Sequence, residues 1–220
     1  MKKIAIIGAG PGGLAAAMLL QKKGYVVDLY EKDAYVGGRS QPLYLDKFKF
    51  DTGPTFFMYK EILEEVFHKS GYDLDQEISF IPIDPLYRLV FPEITFEPSM
   101  DINHNYKMYE AYQKGVGDAY LRWREIQEEK IKRLTPLLKR PFTSLFDYIK
   151  KDTLYALPIL HPFKSIYQSL YKLNQNGPFI HSLSFQSKYL GMSSYQAPSA
   201  FSFFILFRTW LWIVPRERWD

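Results

Sequence analysis

The sequence predicts an α/β fold, and three observations predict it. Lys3 to Ile7 is a short apolar, β-branched run, which suits a buried parallel strand. It is followed at once by Gly8-Ala9-Gly10-Pro11-Gly12-Gly13 and the strong helix former Leu14-Ala15-Ala16-Ala17-Met18-Leu19-Leu20. A second β-rich run, Tyr25 to Tyr30, then ends on Glu31. Strand, glycine turn, helix, strand and acid stand in the order of a Rossmann-like βαβ unit.

Each part of the turn has a physical task. Gly8 permits the tight exit from the strand, and Gly10 leaves no side chain between a pyrophosphate and the backbone N–H groups at the helix N-terminus. Gly13 lets the helix lie close to the strand. Pro11 costs little in the first helical turn, where its missing N–H would have had no helical partner. Gly24 falls where the helix should stop. Glu31 is placed to accept hydrogen bonds from ribose hydroxyls, and its charge disfavours a 2′-phosphate, so NADP is not expected.

The elements that follow are shorter. Tyr35-Val36-Gly37-Gly38-Arg39-Ser40 is a second glycine turn, for which an ordinary nicotinamide-binding domain has no use; a surface turn with a solvated arginine is the alternative. Phe48 and Phe50 alternate as in a strand, and Asp51-Thr52-Gly53 reads as a turn. Ile78–Pro82 and Tyr87–Phe91 are strand-like and predict an antiparallel sheet that opens a second region. From about Tyr106 the period becomes helical. Val116, Tyr120, Trp123 and Ile126 share one face beside charged neighbours, predicting an amphipathic helix on a core. Lys130, Lys132, Arg133, Lys139 and Arg140 then precede Phe142, Leu145 and Phe146. Basic charge beside exposed rings is the composition of a bilayer-surface contact, although such runs are also ordinary solvated faces.

Composition bounds the rest. Of 220 residues, 17% are aromatic, with Phe and Tyr at 17 each, so large flat apolar surfaces must be placed somewhere. No cysteine is present, which excludes disulfides and thiolate metal sites and fits a reducing compartment. His68, His104, His161 and His181 are scattered without metal-ligand spacing, so no metal site is expected. The net charge of +4 gives no reason to expect a nucleic-acid partner. No run reaches 18 uninterrupted apolar residues, and the amino-terminal run breaks at Gly8 without a cleavage site. The expected setting is the cytoplasm, with peripheral membrane contact.

The chain resembles the bacterial carotenoid desaturases of the phytoene and dehydrosqualene type, within the FAD-dependent amine oxidase superfamily. Three segments carry the likeness. They are Gly8 through Arg39; Phe50-Asp51-Thr52-Gly53-Pro54-Thr55 with the helix-like Ile62–Phe67; and Leu183 through Ala200, the most family-specific. The resemblance implies an FAD-binding βαβ unit in residues 1–75 and part of an α+β substrate domain in residues 76–200. It implies FAD held by Gly8, Gly10, Gly12, Gly13, Glu31, Gly38, Arg39, Asp51 and Gly53, with Gly38 and Arg39 turned towards the diphosphate and flavin side. The implied reaction removes hydride and proton from adjacent carbons of a membrane-dissolved polyene hydrocarbon; isomerisation or terminal oxygenation by a relative is the alternative. Asp147 in Phe146-Asp147-Tyr148 matches a family aspartate. As an acid in an apolar cavity with a raised pKa it would move a proton near the flavin; a helix-capping or surface carboxylate is the competing reading.

After Ala200 the likeness stops. Family members continue with Glu-His-x-x-Gly and then a Gly-Gly turn, whereas Phe201 to Pro215 shows neither strand alternation nor a helical stripe. Codons exist for Arg208–Trp212 that, read one base later, spell Glu-His-Gly-Tyr-Gly. Residues 201–220 are therefore expected to be an aberrant tail, from a frameshift or a fragment. The chain would then be an inactive FAD-binding piece if the segment that covers the flavin is missing.

Overall fold

The computed structural model describes residues 1–53, 57, 59–205 and 213–215. In chain order the elements are β1 (Lys3–Ile7), α1 (Pro11–Lys22), β2 (Val26–Tyr30), β3 (Pro42–Leu45), β4 (Phe48–Asp51), α2 (Lys60–Ser70), α3 (Leu74–Glu77) and β5 (Phe80–Pro82). They continue with β6 (Leu89–Val90), β7 (Thr95–Phe96), α4 (Ile102–Tyr112), α5 (Val116–Leu138), α6 (Lys151–Leu160), α7 (Ile166–Leu173), α8 (Gly177–Ser184) and β8 (Ile213–Pro215). The chain divides into two compact units between Ile83 and Asp84, with β8 counted in the first.

The first unit is the predicted α/β element. β1 and β2 pair in parallel, Lys3 opposite Val26 through Ile7 opposite Tyr30, with α1 as the crossover. α1 ends as the sequence demands: the N–H of Gly24 is donated to Gln21 O at 2.9 Å and that of Tyr25 to Leu20 O at 3.2 Å. The strands are not buried as expected. Among the described residues β1 pairs with β2 alone, and Ile7 is 91% exposed. A two-stranded parallel sheet with one helix cannot cover both of its faces. β3 and β4 form an antiparallel hairpin, Pro42 opposite Asp51.

The expected single sheet across residues 76–98 is instead two separate pairings. β5 pairs antiparallel with β8, while β6 pairs with β7 in the second unit. Each run is too short to carry a sheet of its own, and pairing follows whichever edge lies near. Residues 54–56, 58, 206–212 and 216–220 lie outside the described residues. That removes Pro54, Thr55 and most of the expected aberrant tail from structural description.

The second unit holds most of the buried aromatic mass. α5 buries Val116, Tyr120 and Trp123 as the helical period predicts, joined by Phe96, Tyr109, Ile166, Leu170, Phe179 and Leu183. Tyr109 is the hub: its ring lies 5.1 Å from Phe96, 5.2 Å from Tyr120 and 5.3 Å, edge-on, from Phe179. Its hydroxyl shares a 2.9 Å hydrogen bond with Ser182, so a buried polar tip is satisfied and the pocket favours tyrosine over phenylalanine. The α4–α5 turn is tied by the Glu110 carboxylate, which accepts the N–H groups of Gly115 and Gly117. Among the described residues no helix is long and apolar enough to cross a membrane.

Candidate functional site

The site is built where β1 runs into α1. Gly10 caps α1 with φ −73° and ψ 175°, no side chain caps the helix, and no acid sits in its first turn. The first N–H groups of a helix have no partner within it, so this end presents donors and a positive dipole to an anion. A Cβ built on Gly10 or Gly12 would meet nothing within 4 Å. Neither backbone strain nor protein packing requires glycine at residue 10. Open space over unpaired N–H groups is what a diphosphate needs, and a side chain would fill it.

Gly13 differs. A Cβ there would stand 2.0 Å from Gly8 O and 3.7 Å from Ile6 Cγ2. It is glycine because α1 rests against the strand exit, which is the packing task predicted for it.

Ala9, fully buried, is the pin of the turn. Its N–H is donated to Glu31 Oε2 at 2.7 Å, and its carbonyl accepts the Gly37 N–H at 2.8 Å. Glu31 Oε1 accepts the N–H groups of Lys32 at 2.8 Å and Asp33 at 3.1 Å. These donors, Ala9 first, hold the Glu31 carboxyl below its ordinary value. A carboxylate has about four lone-pair sites, so the side chain keeps acceptor capacity for a ribose hydroxyl while fixing the loop.

The second glycine turn sits on the first. Gly37 has φ 118° and Gly38 φ 55°, and a Cβ on Gly38 would come within 3.2 Å of Gly10 Cα. Arg39 follows with an exposed side chain. Its carbonyl is where Gly53 packs: a Cβ on Gly53 would stand 2.1 Å away. Thr52 Oγ1 donates to Gln41 O at 2.9 Å, locking the same two segments. Asp51 lies in β4 opposite Pro42. Gly8, Gly10, Gly12, Gly13, Glu31 and Gly38 thus converge on one cradle. Arg39 and Gly53 meet at its side.

Asp147 lies in the second unit, and there the expectation of a raised pKa is corrected. Its Oδ2 accepts the N–H groups of Thr143 at 2.8 Å and Ser144 at 2.9 Å, and Oδ1 pairs with Lys150 Nζ at 2.6 Å. Lys150 first, then the two backbone donors, hold the carboxyl far below the usual carboxylate range. Although Asp147 is buried, charge-assisted hydrogen bonds outweigh the desolvation that would raise its pKa. With Ser144 it forms a capping box on the short 3-10 turn Leu145–Ile149.

Lys130 was placed by its neighbours in a basic surface run, yet it is 1% exposed. Its ammonium donates to Ser199 O at 2.8 Å, Ser199 Oγ at 3.1 Å and Ser202 Oγ at 2.8 Å. Burial pushes it down to about 8. The signal was present: residues 116, 120, 123, 127, 130, 134 and 137 recur three and four apart, and all are buried.

The fold and cradle define a Rossmann-type dinucleotide-binding protein, and the family model for an NAD(P)-binding Rossmann-like domain matches residues 6–69. The chain is 35% identical over 202 residues to a 4,4'-diapophytoene desaturase (4,4'-diapolycopene-forming) of Methylomonas sp, covering 91% of this chain and 39% of that protein. It is 30% identical over 205 residues to a phytoene desaturase of Fusarium fujikuroi, covering 91% and 36%. Among solved structures a putrescine oxidase variant superposes with TM-score 0.59 at 15% identity, covering 98% of this chain and 46% of that one, a likeness of fold. Over nine tenths of its length the chain is similar to these carotenoid desaturases, and it spans about two fifths of the length of the relatives it matches.

Proposed function

We propose that this chain contributes the FAD-binding cradle of an oxidoreductase that desaturates a long polyisoprenoid hydrocarbon of the phytoene or dehydrosqualene type. The observation that carries the reading is the seating of Gly38 against Gly10. That contact gives the second glycine turn a place beside the diphosphate cradle, a feature a plain nicotinamide domain does not need. The substrate class rests on the printed activities of the relatives. FAD, when bound, supplies the hydride acceptor. Of this chain's residues, the N–H groups at the start of α1 hold the diphosphate, Glu31 takes the ribose, and the Gly37–Gly38 turn closes over the cradle.

The test is direct. The purified full chain, denatured to release its cofactor, should yield FAD by chromatography and not NAD or FMN. Coexpression with a phytoene or a dehydrosqualene source tests the substrate: a new conjugated polyene absorbance supports desaturation, and an isomerised or oxygenated product assigns the alternative chemistry. Release of a nicotinamide nucleotide alone would overturn the cofactor.

We further propose peripheral membrane contact through the surface between α5 and α7. Leu145 is 84%, Phe146 74% and Phe163 98% exposed, with Lys151 alongside. Apolar rings beside ammonium groups suit an anionic interface. Of the donors the sequence suggested, Lys130 is buried and Arg133 pairs with Glu129 at 2.7 Å, while Lys132 and Lys139 are exposed. Replacement of Leu145, Phe146 and Phe163 by serine should release the chain from anionic vesicles in a flotation assay. Unchanged flotation would sink the assignment.

A further inference from the structure

The second unit contains a cavity of about 180 Å³ that the proposed reaction does not use. Its wall includes Trp123, Lys130, His161, Lys164, Lys172 and Ser169. No Asp or Glu lines it among the described residues. Three lysines therefore share a small space with no counter-charge, an arrangement that like-charge repulsion opposes. Lys164 and Lys172 line the same cavity, and Lys172 pulls the Lys164 amine below its ordinary value. All three lysines lower His161, after burial.

The site is built, not a chance meeting of surface side chains. Lys164 is fixed by its backbone: its N–H is donated to His161 O at 3.0 Å and its carbonyl accepts the Ser199 N–H at 2.7 Å. Lys172 stands on α7, which a reciprocal Ser165–Gln168 box caps. Lys130 lies behind, its three donors spent on Ser199 and Ser202, contributing charge without a free hydrogen. Trp123 is 1% exposed and its indole N–H finds no acceptor among the described residues. Among walls otherwise formed by Ile126, Ile166, Leu170 and Leu173, the lining offers surplus donors and uncompensated positive charge, and what would satisfy both is a compact, multiply charged acceptor. The cavity is well above the ~10–15 Å³ one water requires and far short of a polyene.

We propose that this cavity binds a phosphate-type oxyanion, gripped by Lys164 and Lys172 with Lys130 supplying charge from behind. The group arrives on a small solute or on a lipid headgroup, and the test separates these. The full chain is titrated with inorganic phosphate by calorimetry at constant low chloride. Saturable binding is expected, weakened about tenfold or more in Lys164→Gln/Lys172→Gln. The lysine-dependent binding should persist in Gly10→Leu, which removes the α1 cradle as the source. Lys172 is exposed, so Lys172→Gln alone, with its thermal melt unchanged, covers a double variant that fails to fold. In parallel, sedimentation with phosphatidate vesicles is compared in wild type and variant. Lysine-dependent vesicle binding without phosphate saturation assigns the headgroup. Phosphate and vesicle binding that are both indifferent to these lysines, or lost with Gly10→Leu, overturn the proposal.

Discussion

Glu31 Oε2 accepts the Ala9 N–H at 2.7 Å, joining the end of β2 to the middle of the glycine turn. The acid read as a ribose ligand is first an anchor that holds the turn in shape. Glu31→Ala should therefore weaken FAD binding about tenfold or more, through a loosened loop as well as a lost ribose contact. The pH dependence follows. The folded carboxyl titrates below its ordinary 4.5, so its stabilisation is complete above 4.5 and disappears as pH falls through the lower folded value. Cradle affinity measured from pH 7 downwards should fall in this window, and Glu31→Gln should be flat across it.

Two glycines of one motif should fail in opposite ways. Gly10→Leu leaves an apo protein with an unchanged melting temperature, because the backbone at Gly10 suits any residue and no protein atom lies within 4 Å of a Cβ there. It should carry no flavin. Gly13→Ala should destabilise the apo protein by ~1–3 kcal/mol, since its Cβ meets the Gly8 carbonyl at 2.0 Å. Paired apo melts and flavin absorbance for the two variants check this. A large fall in the Gly10→Leu melt would show that packing, and not a ligand, keeps that position bare.

The cradle was legible because its logic is local. Gly8, Gly10, Gly13 and Glu31 lie in one βαβ unit whose order dictates their positions, and α5 was legible because Val116, Tyr120 and Trp123 keep helical period. What escaped was set by distant partners. Lys130 is buried because Ser199 and Ser202, about 70 residues on, hold its ammonium; a run of basic neighbours says nothing of that. Asp147 was read from its match to a family aspartate in an aromatic context, yet Lys150 and two backbone N–H groups decide its charge. The strands of residues 78–91 were visible as runs, but which edge each joins is a matter of tertiary proximity.

Asp147 should behave as a structural residue. Asp147→Ala removes the acceptor for Thr143 N, Ser144 N and Lys150 together, so the melting temperature should fall while released FAD stays stoichiometric. The wild-type contribution of this carboxylate is present above its ordinary 3.8 and is lost only in stronger acid, because the folded pKa is depressed. The wild-type and variant melts should hence differ most at neutral pH and converge as pH drops below 3.8. An unchanged melt with altered product formation would return Asp147 to a role in proton transfer.

Lys130 gives the opposite sign. Its folded amine titrates at about 8 against an ordinary 10.5, so the charged form opposes folding, by roughly 3 kcal/mol where both states are protonated. That opposition is full below pH 8 and fades as pH rises from 8 to 10.5. Lys130→Met removes it, at the loss of three hydrogen bonds. The acceptors are not left bare, since Ser199 Oγ keeps the Ser169 hydroxyl at 2.8 Å and Ser199 O keeps the Ser202 hydroxyl at 2.8 Å. Removing an unpaired buried charge should then outweigh the polar loss. In phosphate-free buffer at pH 7 the variant should melt at or above the wild-type temperature. Wild-type stability relative to the variant should rise between pH 8 and 10.5. A variant several degrees less stable at pH 7, with a gap that stays constant towards pH 10, would show that the hydrogen bonds, and not the buried charge, govern this site.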